Sequence, residues 1–512
     1  MPSIGAMLRA SAARVPDREA LVFGENRYSY AELDAAVDRV AGLLAERGLR
    51  KGDRIALLAG NSDRFVLAFY AAHRLGAVFV PVNPASAAPE LDYILRDSGA
   101  AMLLFDPALT STVATAVSQG LPESLRVLGL GATPDHEDLL ALSADRPAGP
   151  VPDIVGPSDD AQILYTSGTT GAPKGALFDH ERVMNVTVTM LATCGIADGD
   201  RFLHVAPLYH AAELCIMLIP GTFVGATHIV HDGFDPAAVL DTLENERITM
   251  LFGVPTMYQL LLRQPDIASR DLSAWRTGMF GAAPMPPSAV EDLVRALPRV
   301  NIIQLCGQTE AGPGGVFCNR DQVRARPDAS GRQGAVGTEF RVVDAEGNDV
   351  AAGQAGELLL RSNTVMKGYW NKPEATAATV IGGWLHTGDI CHLDAEGYLT
   401  LVDRLKDMII TGGRNVYSIE VESAIAAHPA VLDVAVIARP HPEYGESVVA
   451  VVAPVDGADL GLDEVRAFAA ERIARYKLPH DLVVTQQIPR NSSGKILKRQ
   501  LRDIYSRPVG EQ

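Results

Sequence analysis

The chain has 512 residues, of which 47% are hydrophobic and 21% charged, and this length predicts at least two domains rather than one compact core. The formal net charge of −17 excludes a general nucleic-acid binder, which needs a basic face to displace counterions, although local loops can still hold anionic ligands. The five cysteines lack C-x-x-C spacing and are odd in number, so we expect neither a disulfide framework nor a zinc site but a protein of the reducing cytoplasm.

No segment predicts a signal peptide or a membrane span. The first residues lack the long apolar run of a secretory signal. The most apolar stretch, Leu214 to Val230, contains Pro220 and is shorter than the ~20 residues that a span needs. We expect this stretch to form a buried helix or a strand–turn–strand.

The first hundred residues alternate helical and strand patterns. Ser29 and Glu32 have the spacing of a capping box at the start of a helix. An apolar strand at 55–58, a helix at 64–75 and a strand at 77–82 follow. Strand, helix and strand at this spacing predict βαβ units and a largely parallel sheet.

The stretch Tyr165 to Gly175, Tyr-Thr-Ser-Gly-Thr-Thr-Gly-Ala-Pro-Lys-Gly, is suited to binding a polyphosphate. Its glycines let the backbone approach phosphate oxygens, consecutive N–H groups can form an anion-binding nest, and Lys174 adds a positive charge. The stretch is not the ordinary P-loop, because Pro173 stands where that motif has its second glycine and Gly175 where it has Ser or Thr. The predicted phosphate-binding residues are Thr166, Ser167, Gly168, Thr169, Thr170, Gly171 and Lys174.

Three later motifs place charged side chains on short turns. An apolar strand ends in Gly-Gln-Thr-Glu, and a carboxylate at Glu310, close to a bound polyphosphate, would hold Mg²⁺, a cation that shares oxygen ligands with phosphates. Asp389 follows the predicted tight turn His-Thr-Gly and is suited to accepting two ribose hydroxyl hydrogen bonds. Lys495 lies on a small polar loop near the C-terminus. Each motif taken singly also fits a solvated surface.

Beyond residue 330 the pattern becomes β-rich and then changes again. Short strand patterns between glycine-rich turns predict a smaller subdomain with strands at 340–343, 357–360 and 398–402. The charged segment 403–407 precedes a compact α+β pattern with a helix at 418–428, strands at 431–438 and 448–452, and a helix at 462–476. We therefore predict an N-terminal domain at 1–403 and a C-terminal domain at 404–512.

Together, these motifs and their order resemble the acyl-adenylate-forming superfamily, which contains acyl-CoA synthetases, adenylation domains and luciferases. The resemblance covers essentially the whole chain. It implies an α/β fold whose large N-terminal domain holds two βαβαβ-type sheet subdomains and a small β-barrel-like subdomain. A small, mobile α+β C-terminal domain would follow, with Lys406 at the hinge.

The resemblance also implies roles for individual residues. Lys495 would bridge the acyl carboxylate and the α-phosphate, Thr309 would contact the α-phosphate, and His210 would flank the carboxylate. Glu310 and Thr170 would hold Mg²⁺. The adenine site would comprise Gly281, Ala282, Ala283, Gln304, Cys306 and Gly307. The ribose would be held by Asp389 and Arg404, and the pantetheine tunnel would include Gly412 and Gly413.

We therefore expect an AMP-forming acid–thiol ligase that uses ATP, Mg²⁺ and coenzyme A. Small and apolar residues after His210 predict a roomy pocket for a hydrophobic acid, such as a fatty, aromatic or polycyclic acid. Cys306 stands where the family usually has an aromatic ring stacked on adenine, and losing such a stack costs roughly 1–3 kcal/mol. An enzyme that mainly performs thioesterification of a supplied acyl-adenylate is therefore an alternative.

Several readings stay open in the sequence. The acceptor could be an acyl carrier protein instead of CoA, and a catalytically silent paralogue that only binds nucleotide or acyl ligand would share the motifs. The sequence is also compatible with a homodimer. Glu213 could reach a polar group on the substrate or could be a solvated or hinge-facing carboxylate. His210 could be an ordinary packed histidine.

Overall fold

A computed structural model describes residues 2–147, 149, 151–152, 154–166, 172–490 and 495–505. Four β-sheets organise this part of the chain. The first two are large and mostly parallel, the third is antiparallel, and the fourth lies in the C-terminal part. The predicted α/β fold with a large N-terminal domain and a smaller C-terminal one is confirmed.

The first sheet has nine strands, with parallel pairing in its centre and antiparallel pairing at both edges. In spatial order its strands are Gln333–Gly334, Gly315–Cys318, Asn301–Gly307, Thr277–Gly281, Met250–Gly253, Arg201–His204, Thr227–Val230, Glu19–Phe23 and Asn26–Ser29.

The second sheet has seven strands and contains the predicted βαβ units in its parallel half. Its antiparallel half carries the hairpin around the predicted phosphate loop. In spatial order the strands are Gly368–Tyr369, Lys174–Asp179, Asp160–Thr166, Val78–Val82, Arg54–Leu58, Ala100–Phe105 and Arg126–Gly129.

The two smaller sheets follow in the chain. The third sheet consists of Glu339–Val343, Ala355–Arg361, Trp384–Leu393 and Val380–Ile381, with Leu399–Arg404 paired to the long third strand. The fourth consists of Arg414–Val416, Ile409–Thr411, Gly445–Pro454 and Val431–His441, with Asp481–Val484 parallel to the long third strand.

Helices cover the sheets and begin and end where local sequence favours it. Ser29 and Glu32 form the predicted capping box, and Gly76 ends the third helix with φ +72°, a conformation that glycine adopts without strain. The α-helices are Ile4–Arg14, Tyr30–Glu46, Asp63–Leu75, Ala88–Ser98, Thr110–Ser118, Leu139–Ala144, His180–Cys194, Ile219–Val224, Pro236–Asn245, Pro255–Leu262, Pro287–Ala296, Arg320–Ala325, Pro373–Thr379, Ser418–Ala426, Leu462–Ala470 and Lys498–Tyr505. A π-helix spans Glu213–Leu218, and 3₁₀ turns span Pro107–Leu109, Ile267–Ser269, Thr309–Ala311 and Arg475–Lys477.

Two predicted elements differ from the structure. The helix predicted at 462–476 ends at Ala470, and its last predicted residues form a separate 3₁₀ turn. Asp389 does not follow a tight turn but lies inside the strand Trp384–Leu393. The pairing register shifts beside it, and Gly388 supplies φ +69°, so the apparent turn signal marks a β-bulge.

The largest hydrophobic core joins the first two sheets. It contains Phe202 and Met279 from the first sheet, Leu57 and Phe79 from the second, and the π-helix between them. The C-terminal part has cores of its own, built from its fourth sheet and its helices. Within the described ranges, no helix is long and apolar enough to cross a membrane.

Candidate active site

A cavity of about 870 Å³ brings together residues from three of the sheets and from the C-terminal end of the chain. Its walls include many of the residues that the sequence predicts as functional. These are Thr166, Lys174, His210, Gly281, Ala282, Gly307, Thr309, Glu310, Arg404, Lys406 and Lys495.

The predicted phosphate loop connects the two strands of a hairpin. Thr166 pairs with Lys174 across the antiparallel strands Asp160–Thr166 and Lys174–Asp179, so both ends of the loop face the cavity. The predicted ligands Ser167, Gly168, Thr169, Thr170 and Gly171 lie outside the described residues.

The helix Ala88–Ser98 contacts the chain on both sides of this loop through Asp97 and Tyr93. The Asp97 carboxylate accepts a hydrogen bond from the Tyr165 hydroxyl at 2.8 Å and pairs with the Lys372 ammonium at 2.5 Å. Tyr93, one helical turn before Asp97, donates to the carbonyl of Pro173 at 2.9 Å. The helix Ala88–Ser98 therefore holds the residues directly before and directly after the loop.

Glu310 lies opposite the hairpin on the 3₁₀ turn that follows the strand Asn301–Gly307. It is 9% exposed, and its Oε1 accepts hydrogen bonds from the Tyr369 hydroxyl at 2.9 Å and from Thr166 Oγ1 at 3.3 Å. The Lys174 ammonium lies 5.0 Å from the Tyr369 ring centroid. Tyr369 thus links the predicted metal ligand to the predicted phosphate-binding lysine.

This carboxylate fits Mg²⁺, because that ion is usually held by one or two carboxylates together with substrate phosphates and waters. Glu310 presents a single, nearly buried carboxylate to the cavity. Among the described residues, no group of three or more His, Cys, Asp or Glu side chains could form an all-protein metal site. The donor set therefore suits an ion that arrives with a polyphosphate.

The wall formed by the strands Thr277–Gly281 and Asn301–Gly307 depends on glycine. A Cβ on Gly281 would lie 2.4 Å from the Leu305 carbonyl oxygen, and one on Gly307 would lie 2.3 Å from the Pro313 carbonyl oxygen. Ala282 has φ +67°, a strained conformation for a non-glycine residue. Close backbone packing at Gly281 and Gly307 therefore requires glycine.

Three residues of the predicted adenine site do not line the cavity. Ala283 follows the wall, and Gln304 points its Oε1 to a buried position where it has no hydrogen-bond partner in the described part of the chain. Cys306 packs against the core that contains Val316 and Cys391, and burial raises the pKa of its thiol to about 12.

Asp389 pairs with Arg404 across neighbouring strands, with 2.6 Å between carboxylate oxygen and guanidinium nitrogen. Burial raises the pKa of Asp389, and the charges of Arg404 and Lys495 oppose this effect. The bulge at Gly388 turns the backbone here, and its N–H donates to Glu357 at 2.9 Å. The pair therefore presents Arg404, rather than the carboxylate itself, to the cavity.

The C-terminal part contributes Lys495 to the cavity. Burial and the nearby charge of Arg404 lower the pKa of Lys495 to about 8, while Asp389 counteracts them. Burial and the Lys495 charge lower the pKa of His210 to about 4, so the imidazole is neutral at pH 7. Lys406 occupies the exposed turn between the third and fourth sheets.

Gly412 and Gly413 lie elsewhere. Both are exposed at the tip of the hairpin Ile409–Thr411 and Arg414–Val416, with φ +57° and +73°, as a type I′ turn requires. They do not line the cavity in this arrangement of the chain.

Part of the cavity lining is apolar. It comprises Ala211, Ala212, Ile216, Phe252 and Leu305, and His210 directly precedes Ala211 in the chain. These residues include those for which the sequence predicts an acyl pocket. The charged groups Lys174, Glu310 and Arg404 described above line the same cavity.

Sequence reasoning missed Tyr369 and Asp97. Tyr369 lies on a two-residue edge strand that pairs with the phosphate hairpin, 59 residues from Glu310. Its only sequence signal is an aromatic pair after a glycine, which is equally typical of a packed core. Asp97 gives no signal, because its partners are distant in sequence.

Comparison with known proteins decides the family. Residues 8–370 match the model of the AMP-binding enzyme family, and residues 420–495 match that of the AMP-binding enzyme C-terminal domain. The chain belongs to the AMP-binding enzyme family. The resemblance recognised from the motifs is confirmed.

Similar proteins extend over almost the whole of this AMP-binding enzyme. Feruloyl-CoA synthase of an Amycolatopsis species is 41% identical over 489 residues, which are 95% of this chain and 96% of that protein. Long-chain-fatty-acid–CoA ligase FadD13 of Mycobacterium tuberculosis is 36% identical over 513 residues, 99% and 100% of the two chains. The structure of ATP-bound MatB from Rhodopseudomonas palustris matches with a TM-score of 0.89 and 32% identity, covering 98% and 99%. These relatives confirm the prediction of an AMP-forming acid–thiol ligase.

Proposed function

We propose that this AMP-binding enzyme is an acyl-CoA synthetase that activates a hydrophobic carboxylic acid with ATP and transfers the acyl group to CoA. The observation that carries the proposal is the mixed lining of the cavity. Lys174, Glu310 and Lys495 line the same cavity as Ile216 and Phe252. A triphosphate beside the charged groups would therefore meet a carboxylate whose apolar tail lies against the apolar side chains.

In the first half-reaction, a carboxylate oxygen attacks the α-phosphorus of ATP, the bond between the α-phosphorus and the bridging oxygen breaks, and pyrophosphate leaves. Two anions must approach each other, so positive charge has to be in place before they meet. Lys495 would stabilise the charge at the α-phosphate, Lys174 would hold the outer phosphates, and Thr309 would donate its hydroxyl. The neutral imidazole of His210 would border the carboxylate without adding charge.

Glu310 would hold Mg²⁺, which would supply positive charge to offset that of the leaving pyrophosphate. Tyr369 and Thr166 would orient the Glu310 carboxylate through the hydrogen bonds that they already donate to its Oε1. Thr170, the second predicted ligand, belongs to the loop outside the described residues. Support for the ion comes from the nearly buried Glu310 carboxylate in the cavity wall.

The nucleoside would lie along the glycine-dependent wall. Gln304 does not line the cavity and its Oε1 is buried, so it would not contact the base in this arrangement, whereas the Asp389–Arg404 pair would bind the ribose. Cys306 packs into a core beside this wall, so the wall itself would supply most of the contact with the base.

In the second half-reaction, the thiolate of CoA attacks the acyl carbon, the bond from that carbon to the phosphate oxygen breaks, and AMP leaves. We propose that the domains meet at 403–404 and that Lys406 is the hinge. Rotation about it would bring the exposed turn of Gly412 and Gly413 to the cavity, which suits a reaction needing a second wall beside the same carbonyl.

The acid is proposed to be hydrophobic because part of the cavity lining is apolar. Relatives of similar identity bear the names of a feruloyl and a long-chain fatty-acid CoA ligase. The acid is therefore proposed to have a bulky apolar body, namely an aromatic ring, a polycyclic ring system or an alkyl chain.

A panel of aromatic and fatty acids tests the proposal, with pyrophosphate, AMP and thioester measured separately. We expect pyrophosphate and AMP release that depends on acid, ATP and Mg²⁺, and thioester formation with CoA in preference to a carrier protein. Turnover only with a supplied acyl-adenylate would favour the alternative based on Cys306. Absence of any turnover across the panel would contradict the proposal.

A further inference from the structure

Part of the apolar lining of the cavity lies on a π-helix, Glu213–Leu218. Hydrogen bonds of a π-helix join residues five apart, so residues four apart lie on nearly the same face. Ala212 and Ile216 are four apart, and both line the cavity. π-helices are rare, occur mostly as single turns and are frequent at functional sites. The positions of Ala212 and Ile216 in the cavity wall therefore depend on an unusual backbone turn, and other contacts must stabilise this turn.

Glu213 is fully buried at the first position of that turn, so it is not the solvated carboxylate that the sequence left open. Its Oε1 lies 2.6 Å from Nδ1 of His204 on the first sheet. His204 Nε2 lies 2.9 Å from His228 Nδ1, and His228 Nε2 lies 3.1 Å from the Thr222 hydroxyl. Tyr70 donates to the same hydroxyl at 2.7 Å. All five side chains are buried.

The direction of each hydrogen bond follows from the Thr222 end. Thr222 gives its one proton to the Leu218 carbonyl, so its oxygen must accept from His228 Nε2–H. His228 Nδ1 then accepts from His204 Nε2–H. His204 and Glu213 consequently share one proton at their contact. Burial raises the pKa of Glu213 and lowers that of His204 to about 3, which favours the neutral pair, with the Glu213 carboxyl donating to His204.

A second contact holds the opposite side of the same turn. Cys215 lies two residues after Glu213, which places it about half a turn away, and Gln162 Nε2 of the second sheet lies 3.3 Å from its Sγ. The π-helix is thus fastened to the first sheet by Glu213 and to the second by Cys215. Glu213 makes the shorter contact and has the buried polar chain behind it.

We propose that Glu213 is a positioning residue that, through His204, holds the π-helix so that Ala212 and Ile216 form the wall that selects the acyl group. The inference rests on the proposed function. The carboxyl contacts no reacting atom, because it is fully buried and is not part of the cavity wall. Its effect would fall on the fit of the acid and not on the handling of ATP.

Three substitutions at Glu213 separate this role from general stability. Glu213→Gln keeps the length and an N–H donor for His204, Glu213→Met keeps the volume but removes the donor, and Glu213→Asp keeps the carboxyl but shortens its reach. His180→Leu is the matched control, since His180 is equally buried and accepts the Ile4 N–H at 3.2 Å but does not line the cavity. Wild type is assayed with the same acids, so that its own inactivity would identify a failure of the proposed function.

We expect Glu213→Met to lower kcat/KM for the best acid by about 10- to 100-fold, since a displacement of 1 Å at a substrate-positioning group has effects of this size. The KM for ATP should stay within about twofold, and Glu213→Gln should restore most of the acid KM. Glu213→Asp, which should fold even if the Met variant does not, should raise the acid KM and change the ranking of short and long acids.

The control should lose stability without a change in that ranking. Unchanged acid kinetics in Glu213→Asp and Glu213→Met would overturn the proposal. Equal losses for acid and ATP in these variants, or the same change of ranking in His180→Leu, would also overturn it, because both patterns indicate only a structural role.

Discussion

The charge of Lys495 depends on its surroundings, because burial and neighbouring charges lower the pKa of its ammonium group. It lies among Arg404 and Lys406, and its lowered pKa, about 8, means that the folded protein loses this charge just above neutral pH. An ammonium that stabilises the attack on the α-phosphate must be protonated in the free enzyme. The dependence of kcat/KM for adenylation on pH in the alkaline range therefore reports the deprotonation of Lys495.

We predict that kcat/KM for pyrophosphate release falls above pH 8 by about tenfold per pH unit, since only the protonated fraction is active. Lys495→Ala should lose about 10²–10³ in the rate of adenylation at pH 7 but should still use supplied acyl-adenylate. Lys495→Arg is the control, because a guanidinium stays charged and the alkaline fall should disappear. A wild-type profile that remains flat to pH 10 would contradict this role.

Tyr369 gives a second test at this scale, since it has two separable contacts. Its hydroxyl donates to Glu310, and its ring faces Lys174. Tyr369→Phe removes one hydrogen bond to a carboxylate, which is worth about 1.5–3 kcal/mol, so we expect the KM for Mg²⁺–ATP to rise by about 10- to 100-fold. Tyr369→Leu should raise it further. Tyr28→Phe removes a matched hydroxyl–carboxylate bond, to Asp63 at 3.1 Å, outside the cavity and should leave this KM unchanged.

At the scale of elements, the helix Ala88–Ser98 acts on the phosphate hairpin through Asp97. Asp97→Asn weakens the contact to Lys372 and the hydrogen bond from Tyr165, so the end of the loop at Tyr165 should be held less firmly. We predict a rise of about tenfold in the KM for ATP, with the acid KM unchanged, measured from initial rates of pyrophosphate release.

Asp92→Asn is the control on the same helix, because Asp92 pairs with the exposed Arg96 one turn away, at 2.8 Å. Exposed pairs of this kind contribute about 0.3–0.5 kcal/mol, so this variant should behave as wild type. If both substitutions had the same effect on ATP, the contact of Asp97 with Tyr165 beside the loop would not be its cause.

Local sequence patterns predicted those elements whose signals are local. The capping box at Ser29 and Glu32 and the αL glycine at Gly76 mark helix ends through bonds made within a few residues. The π-helix at 213–218 could not be predicted, because it depends on contacts of Glu213 and Cys215 with two different sheets. The bulge beside Asp389 was mistaken for a turn since both use a glycine at positive φ.

In the candidate site, too, some residues could be predicted from local sequence and others could not. Residues on glycine-rich motifs, such as Lys174 and Glu310, could be proposed from sequence, because the residues next to them in the chain indicate their chemistry. Tyr369 and Asp97 could not be proposed, because only the pairing of distant strands and helices brings them to the loop. The sequence predicted that Cys306 lies in the adenine site, but its side chain packs against a hydrophobic core. The direction of this side chain depends on the register of its strand.

In the whole molecule, separate hydrophobic cores lie on either side of residues 403–408. We therefore predict a domain boundary there at which a protease can cut the chain. Lys406 is exposed in the turn between the third and fourth sheets and also lines the cavity. We expect trypsin to cut first after Lys406, and ATP with a good acid to slow this cut. Lys406→Gln should remove the cut while other sites remain. A first cut inside either core region would contradict the boundary.

The formation of an acyl-adenylate is the central claim, and isotope transfer tests it directly. The acid is labelled with ¹⁸O in both carboxylate oxygens and is converted with ATP and CoA, and the products are weighed by mass spectrometry. We predict one labelled oxygen in AMP, one in the thioester and none in pyrophosphate, because the attacking oxygen stays on the α-phosphorus. Label in inorganic phosphate together with ADP would show attack at the γ-phosphate and would contradict the account.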